Sequence, residues 1–178
     1  MACPGRSNLQ NIFKSFSFLR RIKPYIDVNT RNLYYNGYIR PILDYCSVVW
    51  GTCNTGDLQK LLRMQKAAAR IISNVGYYES SHDLFKTLKW QPLETQIRIR
   101  ILVMMYKSLN GMTPNYMKEL FKYTSNIHDH NLRSTTQNNL YLSGGRTEYG
   151  RRRFSNIAIS EWNSLPEECI ACQISTSF

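Results

Sequence analysis

The run Asn29-Thr30-Arg31-Asn32-Leu33-Tyr34-Tyr35-Asn36-Gly37-Tyr38-Ile39-Arg40-Pro41-Ile42-Leu43-Asp44-Tyr45-Cys46-Ser47-Val48-Val49-Trp50 decides the fold class. Its apolar positions Leu33, Tyr34, Tyr38, Ile42, Tyr45, Val48 and Val49 follow the three-to-four-residue period of a helix and not the alternation of a strand. The polar stripe is narrow: Asn36, Arg40, Asp44 and Ser47 stack at intervals of four, four and three. A helix apolar on most sides is expected at the centre of a bundle. Pro41 removes one backbone donor and crowds the preceding turn, which predicts a kink or break near Tyr38 to Arg40, and Gly51 permits the C-terminal turn.

The flanking sequence reads the same way. Upstream, Ile12, Phe16, Leu19 and Ile22 form one stripe of a helix ending near Lys23-Pro24. Residues 1 to 26 carry Arg6, Lys14, Arg20, Arg21 and Lys23 with no acidic residue, as a mitochondrial presequence does, but a stripe that a folded domain can bury favours an ordinary basic amphipathic helix. Downstream, Thr55 and Asp57 offer caps for a third helix. Its apolar face is Leu58, Leu61, Leu62, Ala68, Ala69 and Ile72, while Lys60, Arg63, Lys66 and Arg70 project away from it. Ser80 or Ser81 caps a short fourth helix with Leu84, Phe85 and Leu88 inside and His82 at the surface. Pro92 suits the first turn of a fifth helix, which buries Leu93, Ile97, Ile101, Met104 and Met105 and stops at Asn110-Gly111. Thr113-Pro114 restarts a sixth through Phe121. From 122 to 150 the composition turns to Ser, Thr, Asn, His and Gly, an irregular segment with a brief extended stretch at 140–142. A final helix over 151–163 packs Phe154, Ile157, Ala158 and Trp162, and Leu165-Pro166 ends it. The expectation is a mainly α fold, a bundle of about six to seven helices. It comprises a helical region 1–121, a basic and polar segment 122–150, and a C-terminal helix and tail 151–178 packing on the bundle.

A formal net charge of +11, from 23 Lys and Arg against 12 Asp and Glu, attracts polyanions such as nucleic acid or acidic lipid without choosing between them. The same balance also serves plain solubility. Five cysteines is an odd number with no secreted-framework spacing, and Cys46 lies in an apolar run where a reduced thiol would pack, so an intracellular compartment, nuclear or cytoplasmic, is expected. Every apolar run is interrupted short of the roughly 18 residues that a membrane span needs, so no membrane partner is expected.

Catalytic signatures are missing. There is no Walker loop, dinucleotide fingerprint, nucleophile elbow or metalloprotease helix, and the carboxylates are too scattered to converge on two metal ions. Asp44 has the most apolar setting and is explained by Arg40 one turn away. Cys169 and Cys172 have the spacing of half a zinc site, with His128 and His130 the only other candidates, but a single pair is weak and unremarkable terminal cysteines are the simpler reading. No catalytic residue, metal site or cofactor is therefore expected. Binding chemistry is better supported: Arg63, Lys66 and Arg70 share a helical side with Lys60, and each can engage a phosphate. Arg98 and Arg100 add to these. Arg151, Arg152 and Arg153 would open the final helix, where cations oppose its dipole, so either an anionic partner or only solvent accounts for them. No aromatic residue is assigned to base stacking.

The order of segments adds a resemblance. The string from Leu33 through Ile39-Arg40-Pro41-Ile42-Leu43-Asp44-Tyr45 to Trp50-Gly51 resembles the thumb segment that follows the palm in jockey-like, LINE-type (non-LTR) retrotransposon reverse transcriptases. Four later blocks fit the same pattern: Leu62-x-x-Gln65-Lys66-x-Ala68-x-Arg70-Ile71-Ile72, Tyr106-Lys107-x-x-Asn110-Gly111-x-x-Pro114-x-Tyr116, Leu132-Arg133-Ser134 and Trp162-Asn163-Ser164-Leu165-Pro166. Together they cover about 16 to 166.

What the resemblance implies is a parent polyprotein that copies RNA into DNA by target-primed synthesis, using an upstream palm whose paired aspartates bind Mg²⁺, and often an N-terminal endonuclease. No Tyr-x-Asp-Asp occurs here, so the expectation is a palm-less piece, not an enzyme in itself and without a cofactor of its own. The resemblance places residues 29 to 72 beside the template–primer duplex. The partners it implies are an RNA–DNA or DNA duplex held through backbone phosphates, and the palm and fingers of the parent polymerase. Three other readings stay open: a protein-interaction scaffold, an active polymerase fragment, and a nonfunctional relic.

Overall fold

Helical periodicity is realised along most of the chain, which a computed structural model describes over residues 6–52, 54–127 and 139–166. The fold is mainly α. Among the described residues there are nine helices, counting the continuous run 28–44 once, and no strand; six of them have seven residues or more. Two compact units, Met1–Ile97 and Arg98–Phe178, meet at a boundary inside the fifth long helix, upstream of the compositional change at 122.

In the first unit, α1 (Arg6–Ile22) buries Ile12, Phe16 and Leu19, the expected stripe, and ends in a 3₁₀ turn at Lys23–Tyr25 around Pro24. Asp27 caps α2 (Val28–Tyr34) by accepting the backbone N–H groups of Asn29 and Thr30 and the Thr30 hydroxyl. The Thr30 hydroxyl above all holds the Asp27 carboxyl below its usual range. The helix then widens into a π segment, Tyr35–Ile39, and continues as α3 (Arg40–Asp44). Pro41 explains the widening. It has no N–H, and the Arg40 N–H reaches back to the Tyr35 carbonyl, so the kink expected at Tyr38 to Arg40 takes the form of a wide turn instead of a break.

The break comes later, at Cys46. This residue adopts φ 51°, ψ 27° between α3 and α4 (Ser47–Trp50), a left-handed conformation that costs a side-chain-bearing residue roughly 1–2 kcal/mol. Cys46 is exposed, contrary to the packed thiol expected from its apolar neighbours. The buried row of this run is Arg31, Tyr35, Ile39, Leu43, Ser47 and Trp50. Leu33, Tyr38 and Tyr45 are 72%, 66% and 70% exposed, so the helix is not apolar all round and does not sit in the middle of its unit. For the two tyrosines the reason is chemical: they count as apolar in a periodicity, yet their hydroxyl ends tolerate water.

Helix α5 (Thr55–Ser73) is capped by Asn54, whose side chain accepts the Gly56 N–H, and it packs on α1, α2 and α6 (Ser81–Thr87). Leu61, Ala68, Ala69 and Ile72 are buried as expected. Gln65 is buried among them at 2% exposure and is fully used: its Nε2 donates to the Gln91 carbonyl at 2.9 Å and its Oε1 accepts the Leu93 N–H at 2.9 Å. One amide thereby secures the start of α7 (Leu93–Leu109), where N–H groups lack helical partners. Trp90 stacks on Tyr35 with ring centroids 3.9 Å apart, tilts against Phe85 and donates its indole N–H to Asn32 at 3.0 Å. Burial pushes the Tyr35 phenol far up from its ordinary value. Gly51 follows α4 where a methyl group would stand 2.4 Å from both Ile97 Cγ2 and the Ser47 carbonyl oxygen, a spacing no real side chain tolerates. Arg31 is 7% exposed; its guanidinium donates to the Asp27 carbonyl at 3.3 Å and to the Ile71 carbonyl at 3.1 Å, a cation at the C-terminal end of α5.

In the second unit, α7 buries Ile101, Met105 and Ser108, and Gly111 at φ 71° lets the Met112 N–H close back on the Lys107 carbonyl. Helix α8 (Asn115–Lys118) is shorter than expected, because Phe121 turns inward and meets Phe154 edge-on at 6.2 Å. The extended stretch foreseen at 140–142 is a single antiparallel bridge, Tyr123 with Leu140. Asn163 clamps it by bonding both the N–H and the carbonyl of Leu140. The final helix is two pieces: α9 (Glu148–Arg151), capped by Thr147, and α10 (Phe154–Asn163), which buries Asn156, Ala158, Ile159 and Trp162. The Asn156 amide donates to the Gly150 carbonyl at 2.7 Å and fixes the turn between them.

Candidate nucleic-acid interface

A helix can present cations on one face only if its other face is anchored, and α5 meets that condition. With Leu61, Gln65, Ala68 and Ile72 turned inward, Arg63, Lys66 and Arg70 emerge on the opposite side at three- and four-residue intervals. There they meet Arg20 and Lys23 from the end of α1, forty residues earlier in the chain, and the five cations line one groove of about 430 Å³. Ala67, Ile71, Val75 and Tyr77 complete its wall, so the groove is lined by cations and apolar groups with no carboxylate among the lining residues. Arg20, Lys23, Arg63 and Lys66 have no ion-pair partner among the described residues. Arg70 is held more firmly, donating twice to the Glu79 carbonyl at 3.3 and 3.1 Å and lying 5.4 Å over the Tyr77 ring. Cations spaced in this way have the charge to attract an anionic ligand, and the lining offers no carboxylate to oppose it.

The other cations singled out in the sequence stand elsewhere. Lys60, one turn earlier on α5, pairs with Asp57 at 2.9 Å. In the second unit Arg98 forms an ion pair with Glu161 and donates to the Ser164 hydroxyl at 3.3 Å, so it clips α7 to α10. Arg100 is half-buried on α7. Arg151, Arg152 and Arg153 do not open the final helix: Arg151 ends α9, Arg152 follows it, and Arg153 is the residue before α10. The opposition to a helix dipole expected of them is therefore relieved for Arg151 and Arg152, which stand at the C-terminal end of α9, and persists for Arg153 at the N-cap of α10. Arg152 pairs with Glu148 at 3.2 Å and lies over the Tyr149 ring, while Arg151 and Arg153 are exposed.

Arg20 and Lys23 were visible in the sequence only as basic residues of an amphipathic helix. Their i, i+3 spacing placed them on one face, but no local signal ties that face to α5. The Arg40–Asp44 pair expected from spacing is present at 3.5 Å. Among the described residues no group of three or more His, Cys, Asp or Glu side chains could hold a metal ion; His128, His130, Cys169 and Cys172 lie outside them, as does the Leu132-Arg133-Ser134 block. No described helix is long and apolar enough to cross a membrane. No protein-family model, no curated protein and no solved structure matches this chain.

Proposed function

We propose that this chain is a nucleic-acid-binding helical module, a thumb-like piece of a non-LTR retrotransposon reverse transcriptase that grips a DNA or RNA–DNA duplex through its phosphates and does not itself polymerise. The observation that carries the proposal is the groove, in which Arg20, Lys23, Arg63 and Lys66 converge from two helices without a carboxylate in the lining. The resemblance of the five sequence blocks is what suggests the family, whose Mg²⁺ and paired aspartates belong to the palm. Binding through four or five phosphates makes the logarithm of the association constant fall with the logarithm of salt at a slope of roughly −4, from about −0.9 per phosphate on duplex DNA. Fluorescence anisotropy of a 20-base-pair duplex titrated at several salt concentrations measures that slope. A slope near zero, or no binding at 50 mM salt, overturns the proposal.

A second reading, a surface for a protein partner, has its own observation. Phe18 tilts against Tyr34 at 5.5 Å and Tyr34 stacks on Tyr38 at 5.1 Å, while Phe18, Tyr38 and Leu33, the sequence neighbour of Tyr34, are exposed. The partner this face suits is the palm and fingers of a reverse transcriptase, which would cover it by apolar burial and resist salt. Replacing Leu33 and Tyr38 with serine is expected to abolish co-purification of a co-expressed palm and fingers in 0.5 M salt; equal recovery with and without the changes rules it out.

A further inference from the structure

Tyr77 and Tyr78 are exposed beside the cationic groove. Both lie in the loop joining α5 to α6, and Tyr77 is itself part of the groove wall. Tyr77 is 80% and Tyr78 98% exposed, although each carries an aromatic ring that burial would favour. The two rings meet edge to face, 5.7 Å apart at 86°. The loop is pinned at this place: the Arg70 guanidinium holds the Glu79 carbonyl with two hydrogen bonds and lies over one face of Tyr77, so the rings are presented from an anchored turn with most of their surface open.

We infer that the Tyr77–Tyr78 pair is a stacking platform for unpaired bases, so that the ligand of the groove is a nucleic acid carrying a single-stranded stretch next to the phosphates that the cations hold. The inference rests on the groove reading above and narrows its substrate class. Inside a duplex the faces of the bases are already covered by their neighbours, and only phosphates and base edges are offered. Unpaired nucleotides offer their π faces, and cations that track a backbone beside open aromatic rings are the arrangement that binds single strands without sequence preference. Tyr77 lines the same groove as the cations, so a strand whose phosphates follow them toward Arg70 passes beside the rings.

The test uses the full chain and three probes at equal salt: a blunt 20-base-pair duplex, the same duplex with a six-nucleotide overhang, and a dT₁₂ strand with a 2-aminopurine near one end. The overhang duplex is expected to bind about tenfold or more tightly than the blunt one, and 2-aminopurine emission to be quenched on binding. Tyr77→Ala with Tyr78→Ala is expected to erase that preference, Tyr78→Ala alone, outside the groove lining, to weaken it with the salt slope of the blunt duplex unchanged, and the double phenylalanine variant to restore it. Equal affinity of the unaltered protein for blunt and overhang probes overturns the platform, as does a preference that survives the alanine pair. If the blunt duplex still binds with a slope near −4 in those cases, the groove reading stands and the platform alone fails; loss of every probe removes both.

Discussion

Replacement of Trp90 by alanine is expected to lower the melting temperature by roughly 10–15 °C, the largest single-site effect in the first unit. Truncating a buried tryptophan costs about 3–5 kcal/mol, and each kcal/mol moves the melting midpoint of a chain of 178 residues by about 2–4 °C. The upper half of that range applies here for two reasons. Trp90 is the ring against which both Tyr35 and Phe85 pack, so its removal leaves two aromatic faces without a neighbour. Its indole N–H is also the donor to Asn32, whose half-buried amide oxygen would lose that bond. Trp90→Phe separates the causes. It keeps most of the stacking and forfeits the hydrogen bond, and a loss of about 1–2 kcal/mol is expected. Thermal melts followed by far-UV circular dichroism give both numbers, and a shift below 3 °C for the alanine variant would mean that the Tyr35–Trp90 stack does not hold the unit together.

Joint replacement of Arg20, Lys23, Arg63 and Lys66 by alanine is expected to weaken duplex binding by about 10²–10³-fold at 0.1 M salt. Each phosphate contact releases close to one counterion, which at that concentration is worth up to about 0.9 of a decade, and four contacts of unequal quality give two to three decades. The salt slope falls with them, by roughly three. Loss of net charge alone has a milder effect, and a second variant measures it. Arg98 and Arg152 are committed to Glu161 and Glu148, so replacing both removes positive charge without touching the groove. That pair is expected to cost at most about threefold in affinity and, through the lost clips, some stability. Anisotropy titrations on equal duplexes compare the two, and equal losses would show that the bulk charge of +11 and not the groove attracts the duplex.

The helices themselves were legible because long apolar periodicities with Pro, Gly and Asn at their ends leave little choice. Ile12, Phe16 and Leu19 in α1, Leu61, Ala68 and Ile72 in α5, and Leu93, Ile97, Ile101 and Met105 in α7 are all buried where spacing put them. Facing was harder in the run that decided the fold. Tyrosine and leucine at positions 33, 38 and 45 counted toward the apolar side and stand in solvent, whereas Arg31 and Ser47, polar by type, are buried because backbone carbonyls and close helix packing receive them. Gln65 shows the same limit: a glutamine in an apolar face looks like surface until its backbone partners, Gln91 and Leu93, are known to lie 26 and 28 residues away in sequence.

The candidate site was half legible. Regular spacing on one helix gave Arg63, Lys66 and Arg70, but the contribution of Arg20 and Lys23 depends on how α1 docks beside α5, a tertiary relation with no local signature. Pairing was equally hidden. Nothing near Arg98 in the sequence foretells Glu161, 63 residues further on, and Arg152 finds Glu148 only because α9 forms as its own turn.

The wide turn before Pro41 governs something larger than a local bend. In a uniform α-helix a step of four residues overshoots a full revolution by about 40°, so the four steps from Arg31 to Ser47 would swing the buried row about 160° around the axis. A turn wound more loosely at Tyr35–Ile39, followed by the left-handed residue Cys46, takes back part of that drift. The proline thus acts as a phase corrector, and without it no single side of so long a run could stay turned toward its neighbours from end to end.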